Sequence, residues 1–504
     1  MSEESEALTA PPDLAKRIGF WTGIAIAVGL QLLPVPEGLE PRAWLLASLA
    51  LMMAAWWATE AIPIAATALV PVALFPFFGI IPAGAAAEAY ADPTVMLLLG
   101  GFIIALGIER WNLHARIALN VVAIFGARPA AMVFGFMLAS ALLSMWISNT
   151  ATTLMMIPIA LKVAEAVERE GVDAAAFAPA LALGVAYAAS IGGVATPVGT
   201  PTNLIGIGFL DSTYGRTIPF ATWMLIGLPI AATVVPLAWF VLTRFAFKVP
   251  AGGGSKAGHA HILAEKRALG PISTPELRVA ITFGVVAALW MGQAYVWNPL
   301  LGWASQALAL PVTLKVSNMQ IALAGALAMF LIPAGRPRDK SEPTPALMDW
   351  ETARHLPWNV LILFGGGLSL ATAIEATGLA SWLGGHLAVV AAVPLPLVVL
   401  ILCLVVVFLT ELTSNVATIS AFLPVLGALA DATGVPAEQL IVPVAITASC
   451  AFMLPVATAP NAIVYASGAV SMNQMLRAGV RLNLIAAPVI AAISSVIAPL
   501  LFPG

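Results

Sequence analysis

Two short polar motifs stand inside long apolar stretches of this 504-residue chain. Ser148-Asn149-Thr150 is the first, and Ser414-Asn415-Val416 follows 266 residues later; each precedes a proline at the same distance, Pro158 or Pro424. Hydroxyl and amide side chains offer hydrogen-bond donors and acceptors without a formal charge. A matched pair of such motifs at membrane depth predicts a site for a polar solute.

A second matched pair lies further along each half, at 197–203 (PVGTPTN) and at 455–461 (PVATAPN). Proline and small residues interrupt helices, and the carbonyls exposed at a break can coordinate Na+, while exposed helix N-termini favour anions. The alternative is that these residues only help helices to pack and kink. Their matched order across two halves favours one substrate site with a cation site on either side.

The composition predicts the elements that position these motifs. Hydrophobic residues make up 61% of the chain and charged residues 9%, and the mean hydropathy is +0.97. These values are typical of a polytopic membrane protein in a lipid bilayer, and we expect an all-α fold of about 11 transmembrane helices. No spacing of Cys, His or acidic residues indicates a metal centre or an enzyme active site, and no nucleic-acid partner is predicted.

Apolar stretches and polar interruptions divide the chain into predicted segments. They are a cytoplasmic tail at 1–17, a first transmembrane helix at 18–40, a repeat at 41–247 with a re-entrant hairpin at about 130–161, a cytoplasmic loop at 248–278, and a second repeat at 279–504 with a hairpin at about 395–430. This arrangement places only Arg42, Arg216 and Lys315 of the 22 Lys and Arg residues outside. The positive-inside rule then predicts a cytoplasmic N-terminus, an outside C-terminus and inverted repeats, which are typical of secondary transporters.

The four motifs together resemble the two SNT signatures and the two proline-containing loops of the divalent anion/sodium symporter family, also called the INDY family. The resemblance extends from about residue 40 to the end. It implies an elevator-type homodimer in the plasma membrane, which in a bacterium would be the inner membrane. In such a dimer a scaffold domain holds the two copies together while a transport domain carries Na+ and a di- or tricarboxylate.

The resemblance also implies roles for individual residues. The substrate carboxylates would meet Asn149, Thr150, Thr200, Ser414, Asn415, Val416 and Thr458. The first Na+ site would use Ser144, Ser148, Asn149 and Gly199, and the second would use Thr410, Thr413, Asn415 and Ala457. The chain departs from the family pattern at Val416, which removes a hydroxyl from the substrate site, and at Thr202 and Ala459, which each replace a proline.

We therefore expect Na+-coupled symport of C4-dicarboxylates such as succinate, malate or fumarate, with Na+ as the coupling ion. The four breaks contain no Lys, Arg or His, so helix dipoles and bound cations would offset the charge of the anion. A dicarboxylate exchanger without net Na+ coupling and a citrate or sulfate-type divalent anion carrier remain alternatives. For Glu411 a structural and a functional role both stay open, while Glu109 and Glu375 are expected to be solvated or paired at the ends of spans.

Overall fold

A computed structural model describes residues 14–170, 174–250, 255–335, 345–387 and 392–503. These residues form an all-helical fold, as predicted, and their one isolated β-bridge joins Pro333 to Ala346. Eight helices in the described part are long and apolar enough to cross a membrane. The total of about 11 crossings stays a prediction, and residues 1–13 of the predicted tail lie outside the described residues.

The helices of the first half begin and end as follows: α1 Leu14–Gln31, α2 Pro41–Thr59, α3 Ile64–Thr67, α4 Val70–Phe77, α5 Ala83–Glu88, α6 Pro93–Arg110, α7 Leu113–Val122, α8 Pro129–Ser144, α9 Asn149–Glu168, α10 Ala174–Gly193, α11 Pro201–Tyr214 and α12 Phe220–Phe240. Two 3-10 turns, Ala89–Ala91 and Ala123–Phe125, follow α5 and α7, and a π-helical turn, Val241–Ala246, extends α12.

The helices of the second half are α13 Lys256–Ala268, α14 Thr274–Gly292, α15 Asn298–Ala307, α16 Asn318–Leu331, α17 Trp350–Ala353, α18 Trp358–Ala376, α19 Leu379–Leu387, α20 Leu395–Leu409, α21 Asn415–Thr433, α22 Glu438–Ala448, α23 Ala459–Ala466 and α24 Met472–Leu501. A π-helical turn, Gln293–Trp297, joins α14 to α15, and a 3-10 turn, Pro455–Ala457, precedes α23.

The order α6 to α12 recurs as α18 to α24, and close helix contacts recur with it. A methyl group added at Gly100 of α6 would lie 2.7 Å from the carbonyl carbon of Ala322. Gly366 takes the same position in α18, where an added methyl group would lie 2.3 Å from the carbonyl oxygen of Ala68. Only glycine permits backbones to approach this closely. The two halves therefore share this close contact as well as the order of their helices, while the inverted repeats remain a prediction.

The helices that follow the two breaks cross between the repeats. From the first repeat, α11 packs against α21 and α22 of the second; from the second repeat, α23 packs against α9 and α10 of the first. The helices before the breaks, α10 and α22, lie in the protein interior. This reciprocal packing brings both breaks together, next to the turns that join α8 to α9 and α20 to α21.

The segment predicted as a loop at 248–278 contains the 13-residue helix α13. Ser255 begins it by accepting the Gly258 N–H at 3.0 Å, and Ile262 is fully buried where α13 packs against α9 and α7. Its other faces carry Lys, Arg and His, so the sequence reads as an exposed polar stretch. One buried apolar position does not give the recurring apolar spacing from which a helix is predicted in a sequence.

The short helices α7 and α19 occupy matching places in the two halves. In each of them, the side chain at the same position forms hydrogen bonds to a neighbouring segment. Arg116 of α7 donates to the Glu276 carboxylate and to the carbonyl oxygens of residues 269–271. Trp382 of α19 donates its indole N–H to the Glu37 carbonyl at 3.1 Å. The hydrogen bonds of Arg116 are the stronger of the two sets, because they are charge-assisted and more numerous.

Candidate functional site

Four helix N-termini meet at one cavity of about 500 Å³. The residues that cap α9, α11, α21 and α23 all line it: Ser148, Thr200, Ser414 and Thr458. Their backbones match in pairs, with φ/ψ of −62°/144° and −62°/134° for the serines and −144°/143° and −143°/149° for the threonines. The first N–H groups of a helix lack partners within it, so the cavity has anion-binding ends on several sides.

Most residues predicted from the sequence line this cavity. The ones that do are Ser148, Asn149, Thr150, Gly199, Thr200, Ser414, Asn415, Val416, Ala457 and Thr458. Ser144 and Thr410 lie fully buried and contact the two asparagines from behind. Thr413 is placed differently, because its hydroxyl donates to the Leu409 carbonyl at 3.1 Å and lies 2.5 Å from the Thr418 hydroxyl.

Neutral oxygen atoms cluster around Asn149 at the first hairpin. The Ser144 hydroxyl donates to Asn149 Oδ1 at 2.5 Å. A methyl group added at Gly193 would lie 2.7 Å from the same Oδ1 and 3.0 Å from the Gly199 carbonyl oxygen; one added at Gly199 would lie 2.9 Å from the Ser144 carbonyl oxygen. Amide and carbonyl oxygens suit a hard cation such as Na+. Gly193 was not predicted from the sequence, although it lies only four residues before the 197–203 motif.

The corresponding cluster at the second hairpin contains Asn415. Thr410 donates its hydroxyl to Asn415 Oδ1 at 2.7 Å and lies 3.0 Å from the Ala448 carbonyl oxygen at the end of α22. The Asn415 amide oxygen, the Thr410 hydroxyl and the carbonyls that end α22 are again neutral oxygen ligands. The two halves thus place the same kind of cluster beside the same cavity.

One asparagine holds each broken helix in shape. Asn203 donates its side-chain amide to the carbonyl oxygens of Gly193 (3.1 Å) and Thr196 (2.7 Å). Asn461 donates in the same way to Ala451 (3.1 Å) and Leu454 (3.0 Å), and both asparagines are fully buried. Both asparagines belong to the motifs recognised in the sequence. Only the structure shows that their side-chain amides hold the backbone of each break in place.

Ser449 joins the two repeats at the site and was not predicted. Its hydroxyl lies 3.1 Å from the Thr200 hydroxyl and 2.6 Å from the Thr202 hydroxyl. Thr202 stands where the family pattern has proline, and here its hydroxyl has a partner across the repeat boundary. No sequence signal marks Ser449, because the contact depends on how α11 and α22 pack together.

Glu411 binds the backbone of the second break. Its carboxylate accepts the N–H groups of Phe452 (2.6 Å), Met453 (2.9 Å) and Leu454 (3.0 Å), and the side-chain amide of Asn483 at 2.7 Å. All four partners are donors, as an ionised carboxylate requires. These bonds support the structural alternative for Glu411, because the group fixes the loop that leads to Thr458.

The ionisable side chains lining the cavity are Glu109 and His355, and no Lys or Arg of the described ranges lines it. His355 is exposed, and Glu109 lies at the C-terminal end of α6, so both stand at the cavity mouth. Inside, the positive potential comes from helix N-termini instead of basic side chains. The site offers neutral donors to an anion and neutral acceptors to cations.

Replacing Glu411 by glutamine is expected to lower the thermal stability of the purified protein. The amide keeps one acceptor oxygen and turns an NH2 group towards backbone N–H donors, and each unsatisfied buried group costs about 1–3 kcal/mol. Thermal unfolding in detergent measures the effect, with the exposed Glu168→Gln as the matched control. Unchanged stability of the Glu411 variant, with altered Na+ activation, would contradict the structural role.

Comparisons with known proteins identify the family of this chain. The family model described as the sodium:sulfate symporter transmembrane region matches residues 15–502. A sodium-dependent dicarboxylate transporter, SdcS, of Staphylococcus saprophyticus is 37% identical over 494 residues, which cover 97% of this chain and 92% of that protein. The Staphylococcus aureus (strain MRSA252) SdcS is 38% identical over 476 residues, which cover 92% and 88%.

Solved structures show the same overall fold at low sequence identity. The Alcanivorax borkumensis YdaH transporter matches with a TM-score of 0.56 and 14% identity over 97% of this chain and 99% of that one. Neisseria gonorrhoeae MtrF matches with a TM-score of 0.57 and 13% identity over 95% and 97%. The family match over nearly all of the chain shows that this multi-pass membrane protein belongs to the divalent anion/sodium symporter family of transporters.

Proposed function

We propose that this protein is a secondary active transporter that carries C4-dicarboxylates, such as succinate, malate or fumarate, together with Na+ across the plasma membrane. The observation that carries the proposal is the meeting of four helix N-termini at one cavity that no described Lys or Arg lines, beside two clusters of neutral oxygens. The sodium-dependent dicarboxylate transporters to which the chain is similar support the same conclusion.

The charge of the site fits a divalent anion. Each helix N-terminus acts like roughly half a positive charge, so four of them supply about two. A C4-dicarboxylate has two carboxylates at opposite ends, which suits caps that come from two hairpins and two loops. We assign its contacts to Asn149, Thr150, Thr200, Ser414, Asn415, Val416 and Thr458. A cavity of about 500 Å³ is wide for sulfate, so the sulfate-type alternative is less well supported.

Coupling to Na+ follows from the position of the asparagines. We assign the first cation to Asn149, Ser144, Ser148 and Gly199, with the Gly193 and Ser144 carbonyls added, and the second to Asn415, Thr410 and Ala457. Ser148 also caps α9 by accepting the Ala151 N–H at 3.1 Å. Thr413 also belongs to the proposed second site, and its hydroxyl bonds within its own hairpin. Na+ in these clusters would fix the asparagines that the anion contacts.

We further propose the elevator-type homodimer, the inverted repeats, a cytoplasmic N-terminus and an outside C-terminus. These features rest on the family resemblance and on the distribution of Lys and Arg. The dicarboxylate exchanger without net Na+ coupling, and the carrier of citrate, remain the rival functions that the transport experiment separates.

Purified protein in liposomes is expected to accumulate radiolabelled succinate when an inward Na+ gradient is imposed, and to do so in vesicles that contain no dicarboxylate. Equal uptake with Na+ and with K+ would contradict coupling. Uptake that requires preloaded dicarboxylate would establish the exchanger. A panel of malate, fumarate, citrate and sulfate as competitors identifies the preferred anion.

Gly193→Ala is expected to raise the Na+ concentration for half-maximal succinate uptake at least tenfold, because the added methyl group meets Asn149 Oδ1 and the Gly199 carbonyl. A tenfold change corresponds to about 1.4 kcal/mol of lost cation binding. Gly284→Ala is the matched control, since nothing lies within 4 Å of an added methyl group there. Identical Na+ dependence in both variants would remove Gly193 from the cation site.

Asn149→Ala and Asn415→Ala are each expected to abolish Na+-driven uptake while the protein stays folded. Each asparagine is assigned to both a cation and a carboxylate, so its loss removes both contacts. Size-exclusion chromatography checks folding, and uptake is measured beside the wild type. Full activity of either variant would show that its asparagine serves neither ligand.

A further inference from the structure

One face of α6 forms a wall of the central cavity from the site to its mouth. Its lining residues recur at helical spacing: Leu98, Gly101, Phe102, Ala105, Leu106 and Glu109. At the inner end, a methyl group added at Gly101 would lie 3.6 Å from Val198 of the first loop. Eight residues of helix separate Gly101 from Glu109, or about 12 Å. Glu109 therefore stands on the path between the site and solvent, too far away to bind the substrate in its site.

The Glu109 carboxylate lines this path. Among the described residues, it has neither a hydrogen-bond partner nor an ion-pair partner. The neighbouring Arg110 pairs with Asp349 instead. Glu109 is half-buried at the end of its span, and it lines the path to solvent in the mouth of the proposed anion site.

Glu375 occupies the matching position at the end of α18 and also lines a cavity. This second cavity, of about 100 Å³, lies where α18 meets α11 and α21. Ala371 lines it just as Ala105, its counterpart in α6, lines the central cavity. The hydroxyl of Tyr214 lies 3.0 Å from the Gly427 carbonyl oxygen and 3.1 Å from the Asp431 carboxylate, so α11 and α21 are joined beside it.

We propose that Glu109 is a specificity-determining charge of the substrate path, at the mouth of the central cavity. Its carboxylate repels anions that enter through this mouth, and it repels a trianion more strongly than a dianion because the repulsion scales with the charge of the anion. Glu109 thereby favours dicarboxylates over tricarboxylates and speeds anion release. The inference rests on the proposed transport function and extends it to a residue outside the binding site.

Neutralising the Glu109 carboxylate tests the proposal, with transport measured at one face of the membrane at a time. Intact cells and inverted membrane vesicles, each with the same Na+ concentration, expose opposite faces of the protein. At low ionic strength, Glu109→Gln is expected to lower the KM for succinate about two- to fourfold, and to do so at one face only. The inhibition constant for citrate is expected to fall further. Added choline chloride should shrink both changes because salt screens the repulsion.

Glu375→Gln is a positional control: it removes the matching carboxylate of α18, which lines a separate cavity, and its constants should equal those of the wild type at both faces. In the proposed orientation, Glu109 acts at the cytoplasmic face. Glu168→Gln is the matched control: it removes an exposed carboxylate at the end of α9 that does not line the cavity, and its constants should equal those of the wild type.

Changes that are equal at both faces, equal for succinate and citrate, or absent in Glu109→Gln would overturn the assignment of Glu109. These outcomes would leave the transport function intact, because they compare variants with an active wild type. Wild-type protein that moves succinate in neither preparation would overturn the proposed function itself. The two failures are therefore distinguishable within one set of measurements.

Discussion

Two buried asparagines hold the interrupted helices on which the rest of the site depends. Each break exposes carbonyl groups in the apolar interior, where an unsatisfied polar group is costly. Asn203 and Asn461 each donate to two of these carbonyls, at matching positions in the two repeats. Each also sits three residues after the threonine that caps the following helix. The amide that closes the break thus also fixes where a helix N-terminus faces the cavity.

The sequence predicted the positions of the four breaks but not all of their partners. Ser148, Thr200, Ser414 and Thr458 were recognisable because small polar residues in duplicate are unusual at membrane depth, and all four line the cavity. The all-helical class followed from composition. Ser449 was not recognisable, because its bonds to Thr200 and Thr202 exist only after helices from different repeats have packed. Contacts between distant segments leave no local pattern in a chain.

The two repeats are related but unequal, and the difference lies at the breaks. Relative to its counterpart α10, α22 ends three residues earlier, and the N–H groups of residues 452–454 lie beyond it without helical partners. Glu411 accepts all three, whereas the matching position in the first repeat is Met145, whose carbonyl oxygen accepts the Thr196 hydroxyl at 2.5 Å. A buried carboxylate therefore binds the backbone of the second break, and this adds a negative charge beside the second oxygen cluster only.

This inequality bears on the order of binding in the proposed cycle. In both clusters the asparagine oxygen accepts a hydroxyl, while the residue itself begins the helix whose N-terminus faces the cavity. A cation bound to the oxygen would therefore orient a helix end that meets the anion, and the coupling between cation and anion must be reciprocal. The charge of Glu411 attracts a cation to the second cluster, whereas the first has only neutral oxygens. The second cluster would on this basis hold its Na+ more tightly and fill first, before the anion completes the site.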